Sequence, residues 1–204
     1  MSNGSSLSIA VSRTKTRMFN LANNLTLIRI LTIPVFVLLL YFPTRITCLL
    51  AAVIFVAATV TDFFDGLLAR RYNIESNMGK LLDPLADKLL VVAALIMLAS
   101  LQWLAAWIVI LIIARELMVT GVRSMAAERG TVISADIFGK LKTVLQDVAI
   151  VPLVLHYPWL GFDPRPWGEG LMLVALIVTL LSGGNYVWKF VSSLGREEET
   201  SANQ

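Results

Sequence analysis

Long apolar runs separated by short charged interruptions dominate the chain. Stretches without Asp, Glu, Lys or Arg cover residues 30–44, 46–61, 89–114, 148–162 and 171–188. A bilayer hydrocarbon core about 30 Å thick is crossed by about 20 apolar residues in a helix. The 26 residues of 89–114 exceed one crossing, and Leu101-Gln102 marks a short turn between two helices. The pattern therefore predicts six crossings, at roughly 25–43, 46–69, 81–100, 103–123, 139–157 and 168–192. Residues 1–24 form a basic juxtamembrane segment, 25–195 the six-helix domain, and 196–204 a polar, solvated tail.

Composition removes the main competitors. Hydrophobic residues make up 57% of the 204 and charged residues 15%, with a mean hydropathy of +0.75. Soluble domains carry about 45–50% apolar and about 25% charged residues. Disorder is excluded and an ordinary water-soluble fold disfavoured. One cysteine, Cys48, excludes a disulfide scaffold or a thiolate cluster, and one histidine, His156, excludes a multi-histidine site. Metal or acid–base chemistry must rest mainly on the 14 carboxylates.

Basic residues set the orientation. With six crossings, 15 of the 17 Lys and Arg fall on the side of both termini, leaving only Arg45 and Arg165 outside. Both termini are expected in the cytoplasm, as for a bacterial inner (plasma) membrane protein. Trp103, Trp107, Trp159 and Trp167 then lie at or near the outer interface. No apolar run suited to a cleavable signal precedes the first crossing, so that crossing is expected to direct insertion. Within the leader, 13–24 reads as a short amphipathic helix on anionic headgroups, with an organelle transit peptide as the alternative.

Acids are expensive in membrane helices, at about 2.5–3.5 kcal/mol for a charge at the centre. Yet Asp62 and Asp65 fall in the last turns of the second crossing, and Asp83 and Asp87 in the first turns of the third. The connection at 70–80 is short, so both pairs are expected at one cytoplasmic membrane edge. Asp62, Asp65, Gly66 and Ala69 follow i, i+3, i+4, i+7 and share one helix stripe; Asp83 and Asp87 share a face of the next helix. Pro84 either opens that helix with Asp83 as N-cap or kinks it. Four neighbouring carboxylates repel unless they take up protons or cations. Oxygen-only ligands suit Mg²⁺ or Mn²⁺, and two such ions clamp a displacement at phosphorus. Gly66 and Ala69 leave a bare strip for a base or sugar, and Arg70 offers a bidentate phosphate grip. The competing readings are salt bridges to Arg70, Arg71, Lys80 and Lys88, or a cation pathway.

The same run, D-x2-D-G-x2-A-R-x8-G-x3-D-x3-D from Asp62 to Asp87, resembles the signature of the CDP-alcohol phosphotransferases, and all eight fixed positions match. The resemblance implies a six-helix membrane enzyme, usually a homodimer, in which an acceptor hydroxyl displaces CMP from a CDP-linked substrate with two divalent ions. By position it makes Asp62, Asp65 and Asp83 metal ligands. Asp87 becomes a ligand of the second ion and the catalytic base, and Gly66 and Arg70 contact the CDP moiety.

Flanking segments are similar to family members whose donor is CDP-diacylglycerol and whose acceptor is sn-glycerol 3-phosphate. They are Asn24-Leu-Thr26-Leu-Ile-Arg29 with Pro34, Ala114-Arg115-Glu116, Thr120-Gly121-Val122-Arg123 and Gly139-Lys140-Leu141-Lys142-Thr143. An acceptor carrying its own phosphate needs fixed cations, for which Arg115, Arg123, Lys140 and Lys142 are the candidates, with Glu116 orienting Arg115. Membrane topology and anionic headgroups are the alternative explanation of these basic residues. Asn24 and Thr26 either meet the nucleotide or act as cap and anchor. Gly183-Gly184 suits close helix packing or a dimer contact, and Tyr186 either reaches an inner cavity or packs.

Three rivals stand beside this reading: a family member with inositol phosphate, serine or a phospholipid as acceptor, a polyprenyl transferase, and a divalent-cation carrier. Expected partners are the two substrates, membrane lipids and a second copy of the chain, not nucleic acid.

Overall fold

A computed structural model of the chain describes residues 30–72, 77–128, 137–159 and 161–202; of these, 62–72, 77–87, 127–128, 137–138, 140, 189–191 and 193–202 are described by backbone alone. Six helices account for nearly all of them: α1 (Ile30–Tyr41), α2 (Arg45–Tyr72), α3 (Asn77–Ser100), α4 (Ala106–Glu128), α5 (Ile137–Leu155) and α6 (Arg165–Ala202). No strand occurs among the described residues, and the one β-type pairing there is an isolated bridge between Trp159 and Phe162. The N-terminal segment 1–24, with its expected interfacial helix, lies outside the described residues. At the other end α6 continues helical to Ala202, through most of the segment read as a tail.

Side-chain and backbone caps set the helix ends. Thr44 and Thr47 cap α2 reciprocally: Thr47 N donates to Thr44 Oγ1 at 3.2 Å and Thr44 N donates to Thr47 Oγ1 at 2.8 Å, a capping box with threonine in the third position. The expected turn at Leu101-Gln102 closes α3. Gln102 N donates to Ala99 O at 3.0 Å and Trp103 N to Leu98 O at 2.9 Å, with Gln102 at φ 59°. This is a Schellman closure in which glutamine holds the left-handed position that glycine usually takes. Between α5 and α6, Gly161 at φ 85° turns the chain, and Asp163 Oδ1 accepts the backbone N–H of Arg165 at 3.1 Å.

The chain forms two compact units, residues 1–97 and 98–204. In the first, buried positions repeat at helical spacing: Phe36 and Leu40 on α1, and Cys48, Ala51, Ala52 and Phe55 on α2. The Phe36 and Phe55 rings meet at a centroid separation of 6.0 Å. In the second, α6 packs along α5 and also against α4. Gly168 marks a close approach of α6 to α5, since a Cβ there would fall 2.7 Å from Leu153 Cγ. Met172, Ala175, Leu176 and Thr179 carry the buried stripe onward along α6.

Opposite faces of the helices are also apolar. Ile46, Val53 and Val60 on α2, Ile110, Leu117 and Met118 on α4, and Ile177, Leu181 and Trp188 on α6 are all exposed. A helix that is apolar all round suits a buried or lipid environment rather than water. The span Arg165–Trp188 is long and apolar enough to cross a membrane by itself; Ile30–Tyr41, Arg45–Thr61 and Lys88–Ser100 are shorter apolar stretches. The tryptophans divide. Trp107 and Trp167 are exposed, whereas Trp103 stacks on His156 at 3.7 Å and Trp159 holds its indole nitrogen buried.

Candidate functional site

The fixed positions of the aspartate motif lie on regular helix. α2 runs unbroken through Asp62, Asp65, Gly66, Ala69 and Arg70, and α3 through Asp83 and Asp87, with Pro84 inside it. Helical phase thus places Asp62, Asp65, Gly66 and Ala69 on one face of α2 and Asp83 and Asp87 on one face of α3. Residues 73–76, between the two helices, lie outside the described residues. The side chains of Asp62, Asp65, Ala69, Arg70, Asp83 and Asp87 lie outside the described residues, as do Asn24 and Thr26. As a donor set, four carboxylates without sulfur or imidazole fit hard divalent cations.

The second unit holds a buried charged group drawn from three helices. Arg115 on α4 and Lys142 on α5 are each only 7% exposed. Charged side chains are almost never buried to this degree unless paired. Glu116 supplies the pairing: its Oε1 accepts Arg115 Nη1 at 2.9 Å and also meets Lys142 Nζ. Adjacent positions on a helix diverge by about 100°, so Arg115 and Glu116 meet through side-chain length, and the shared carboxylate ties α4 to α5.

α6 completes the group. Arg115 Nε donates to the Thr179 carbonyl oxygen at 3.0 Å and Arg115 Nη2 donates to Ser182 Oγ at 2.8 Å. Three of the five guanidinium N–H groups are thereby engaged among the described residues. Gly183 makes this approach possible: a Cβ there would stand 2.8 Å from Arg115 Cγ and 3.0 Å from Nε. Gly184, by contrast, faces open space. Of the two packing roles expected for this glycine pair, the described contact is within the chain, and Gly183 makes it.

Arg123 lies two turns beyond Arg115 on α4, is exposed, and holds its guanidinium carbon 5.8 Å from the centre of the Tyr186 ring. Tyr186 is buried, and its hydroxyl has no hydrogen-bond partner among the described residues. Lys140 belongs to α5, with its side chain outside the described residues. Of the cations expected to serve a phosphate-bearing acceptor, the structure therefore joins Arg115 and Lys142 through the shared Glu116 carboxylate. Arg123 stands on the same side of α4. Sequence reasoning missed Thr179, Ser182 and the role of Gly183. Neither Ser182 nor Gly183 carries a mark of this role in the sequence: a serine and a glycine in an apolar helix gain it only from what packs there, and Thr179 contributes only its backbone carbonyl.

The chain, helical through nearly all of its described residues, belongs to the CDP-alcohol phosphatidyltransferase family, whose model matches residues 19–181. Among its relatives, the CDP-diacylglycerol–glycerol-3-phosphate 3-phosphatidyltransferase of Bacillus subtilis (strain 168) is 41% identical over 184 residues, covering 84% of this chain and 95% of its own. The enzyme of the same name from Escherichia coli (strain K12) is 38% identical over 178 residues, covering 83% and 93%. A probable phosphatidylglycerophosphate synthase of Mycobacterium tuberculosis (strain ATCC 25618 / H37Rv) is 39% identical over 191 residues, covering 92% and 90%.

Proposed function

We propose that the protein transfers the phosphatidyl group of CDP-diacylglycerol to sn-glycerol 3-phosphate, forming phosphatidylglycerophosphate and releasing CMP. The observation that carries this reading is near-full-length similarity, at about 40% identity, to bacterial enzymes that bear the name of that reaction. The buried Arg115–Glu116–Lys142 group supports the choice of acceptor. Two cations and one anion leave one net positive charge, and Arg123 adds another on the same side of α4, suited to an acceptor that brings its own phosphate.

Asp62, Asp65, Asp83 and Asp87 would hold two Mg²⁺ or Mn²⁺ ions. Bound there, the ions would neutralise the diphosphate and the charge that develops on departing CMP. Asp87 would also take the proton from the attacking hydroxyl of glycerol 3-phosphate as that oxygen meets the phosphatidyl phosphorus. Gly66 and Ala69 present helix surface without bulk to the cytidine, and Arg70 grips the diphosphate. Asn24 and Thr26 are assigned to the donor, and Arg115, Arg123, Lys140 and Lys142 to the acceptor's phosphate. Direct attack needs no covalent enzyme intermediate.

The setting belongs to the same proposal: six crossings of a bacterial inner membrane, both termini and the active site on the cytoplasmic side, and a homodimer. Support comes from apolar side chains exposed on opposite faces of the helices, from the spanning stretch in α6 and from the one-sided distribution of Lys and Arg. The test is an acceptor panel with CDP-diacylglycerol and purified protein. CMP release only with sn-glycerol 3-phosphate is expected; release with inositol phosphate, serine or a phospholipid instead would move the protein elsewhere in the family.

A further inference from the structure

The contacts around Arg115 point to a role for α6 that the aspartate motif does not contain. We infer that Ser182 is a positioning residue for acceptor recognition: with the Thr179 carbonyl and the missing side chain of Gly183, it fixes Arg115, and through Glu116 also Lys142, for a phosphate-bearing acceptor. The inference rests on the acceptor reading proposed above and extends it to residues with no assigned role.

Three features carry it. In a helix the carbonyl of residue 179 already accepts the N–H of residue 183, and its second lone pair remains open to another donor. Arg115 Nε uses that lone pair at the turn where Gly183 leaves room for it. The Ser182 hydroxyl, on a residue 5% exposed, then holds Nη2 at 2.8 Å. With Nε and Nη2 both tied to α6, the guanidinium plane is set, because a planar fork held at two nitrogens has no free rotation. Nη1 consequently meets Glu116 Oε1, the oxygen that also meets Lys142. Ser182 thus governs, through one arginine and one glutamate, where two buried positive charges stand. None of these α6 atoms is needed to hold the guanidinium charge itself; they define its direction.

Losing the serine hydroxyl removes a hydrogen bond to a charged group, an interaction whose removal corresponds to about tenfold or somewhat more in an equilibrium constant. Steady-state kinetics on the purified full-length protein in CDP-diacylglycerol mixed micelles would test this with Ser182→Ala, Ser182→Thr, Gly183→Ala and Gly184→Ala. Ser182→Ala and Gly183→Ala should each raise the KM for glycerol 3-phosphate about tenfold, while the KM for CDP-diacylglycerol stays within about twofold. Ser182→Thr, which restores a hydroxyl, should return the acceptor KM to near the wild-type value. Gly184→Ala, facing open space, should change neither constant.

An unchanged acceptor KM in Ser182→Ala would overturn the inference. So would equal rises in both KM values, or failure of Ser182→Thr to differ from Ser182→Ala. Thermal unfolding of each variant shows whether the fold is intact; if Ser182→Ala does not fold, Gly183→Ala carries the same comparison. The wild-type acceptor panel decides the acceptor reading separately. The KM split is then read with whichever acceptor the wild type uses, and its absence there counts against Ser182.

Discussion

The two compact units carry their chemistry in opposite ways. In residues 1–97 the positions proposed for the chemistry are concentrated between Asp62 and Asp87, on two consecutive helices. In residues 98–204 the charged group is gathered from helices far apart in sequence: Arg115 reaches Thr179 and Ser182 across 64 and 67 residues, and Glu116 joins α5 to α4. The site proposed in the first unit is a contiguous motif; the charged group of the second is assembled by packing. Substitutions in the first should therefore remove chemistry while sparing the fold, and substitutions in the second should disturb recognition and stability together.

Asp87→Asn offers the largest contrast. Removing the proposed base should lower kcat by about 10²–10⁴-fold, with nucleotide binding and the unfolding midpoint retained, as read by CMP release and by CDP titration. Full turnover in this variant would break the assignment of the base. Glu116→Gln is the matching change in the second unit. It leaves Arg115 and Lys142 buried without their shared anion, and breaking a buried pair costs about 3–5 kcal/mol. A marked fall in thermal stability together with a raised acceptor KM is expected; a variant as stable as wild type would contradict the pairing.

The smallest effect is Thr44→Ala, which removes the α2 cap and should cost about 1 kcal/mol without touching turnover.

The same contrast explains what could be read from the sequence. Helix positions followed from the apolar runs, and the turn after Ser100 followed from Leu101-Gln102, because a hydrophobic run too long for one crossing has to bend. The aspartate group stands out in the sequence because its four members lie within about 25 residues at helical spacing. Arg115 and Glu116 were legible as charges beside a long apolar run, and Lys142 as a basic start to the next helix. Ser182 and Gly183 were not, since a serine and a glycine in an apolar helix acquire meaning only from what packs against them. The Thr179 contact uses a backbone carbonyl, which every residue possesses, so no residue pattern marks it. The length of α6 was also underread: Glu197, Glu198 and Glu199 look like a solvated end, yet glutamate is a good helix former, and the helix continues through them to Ala202.

The central claim is that the chain catalyses metal-dependent transfer of a phosphatidyl group to glycerol 3-phosphate. Its most direct test is to follow CMP and lipid product together, using purified protein, CDP-diacylglycerol and sn-glycerol 3-phosphate, before and after chelation. Equal amounts of CMP and phosphatidylglycerophosphate should form, stop on addition of a chelator, and resume when Mg²⁺ or Mn²⁺ is restored. Continued turnover in excess chelator, or CMP release that does not depend on glycerol 3-phosphate, would contradict it.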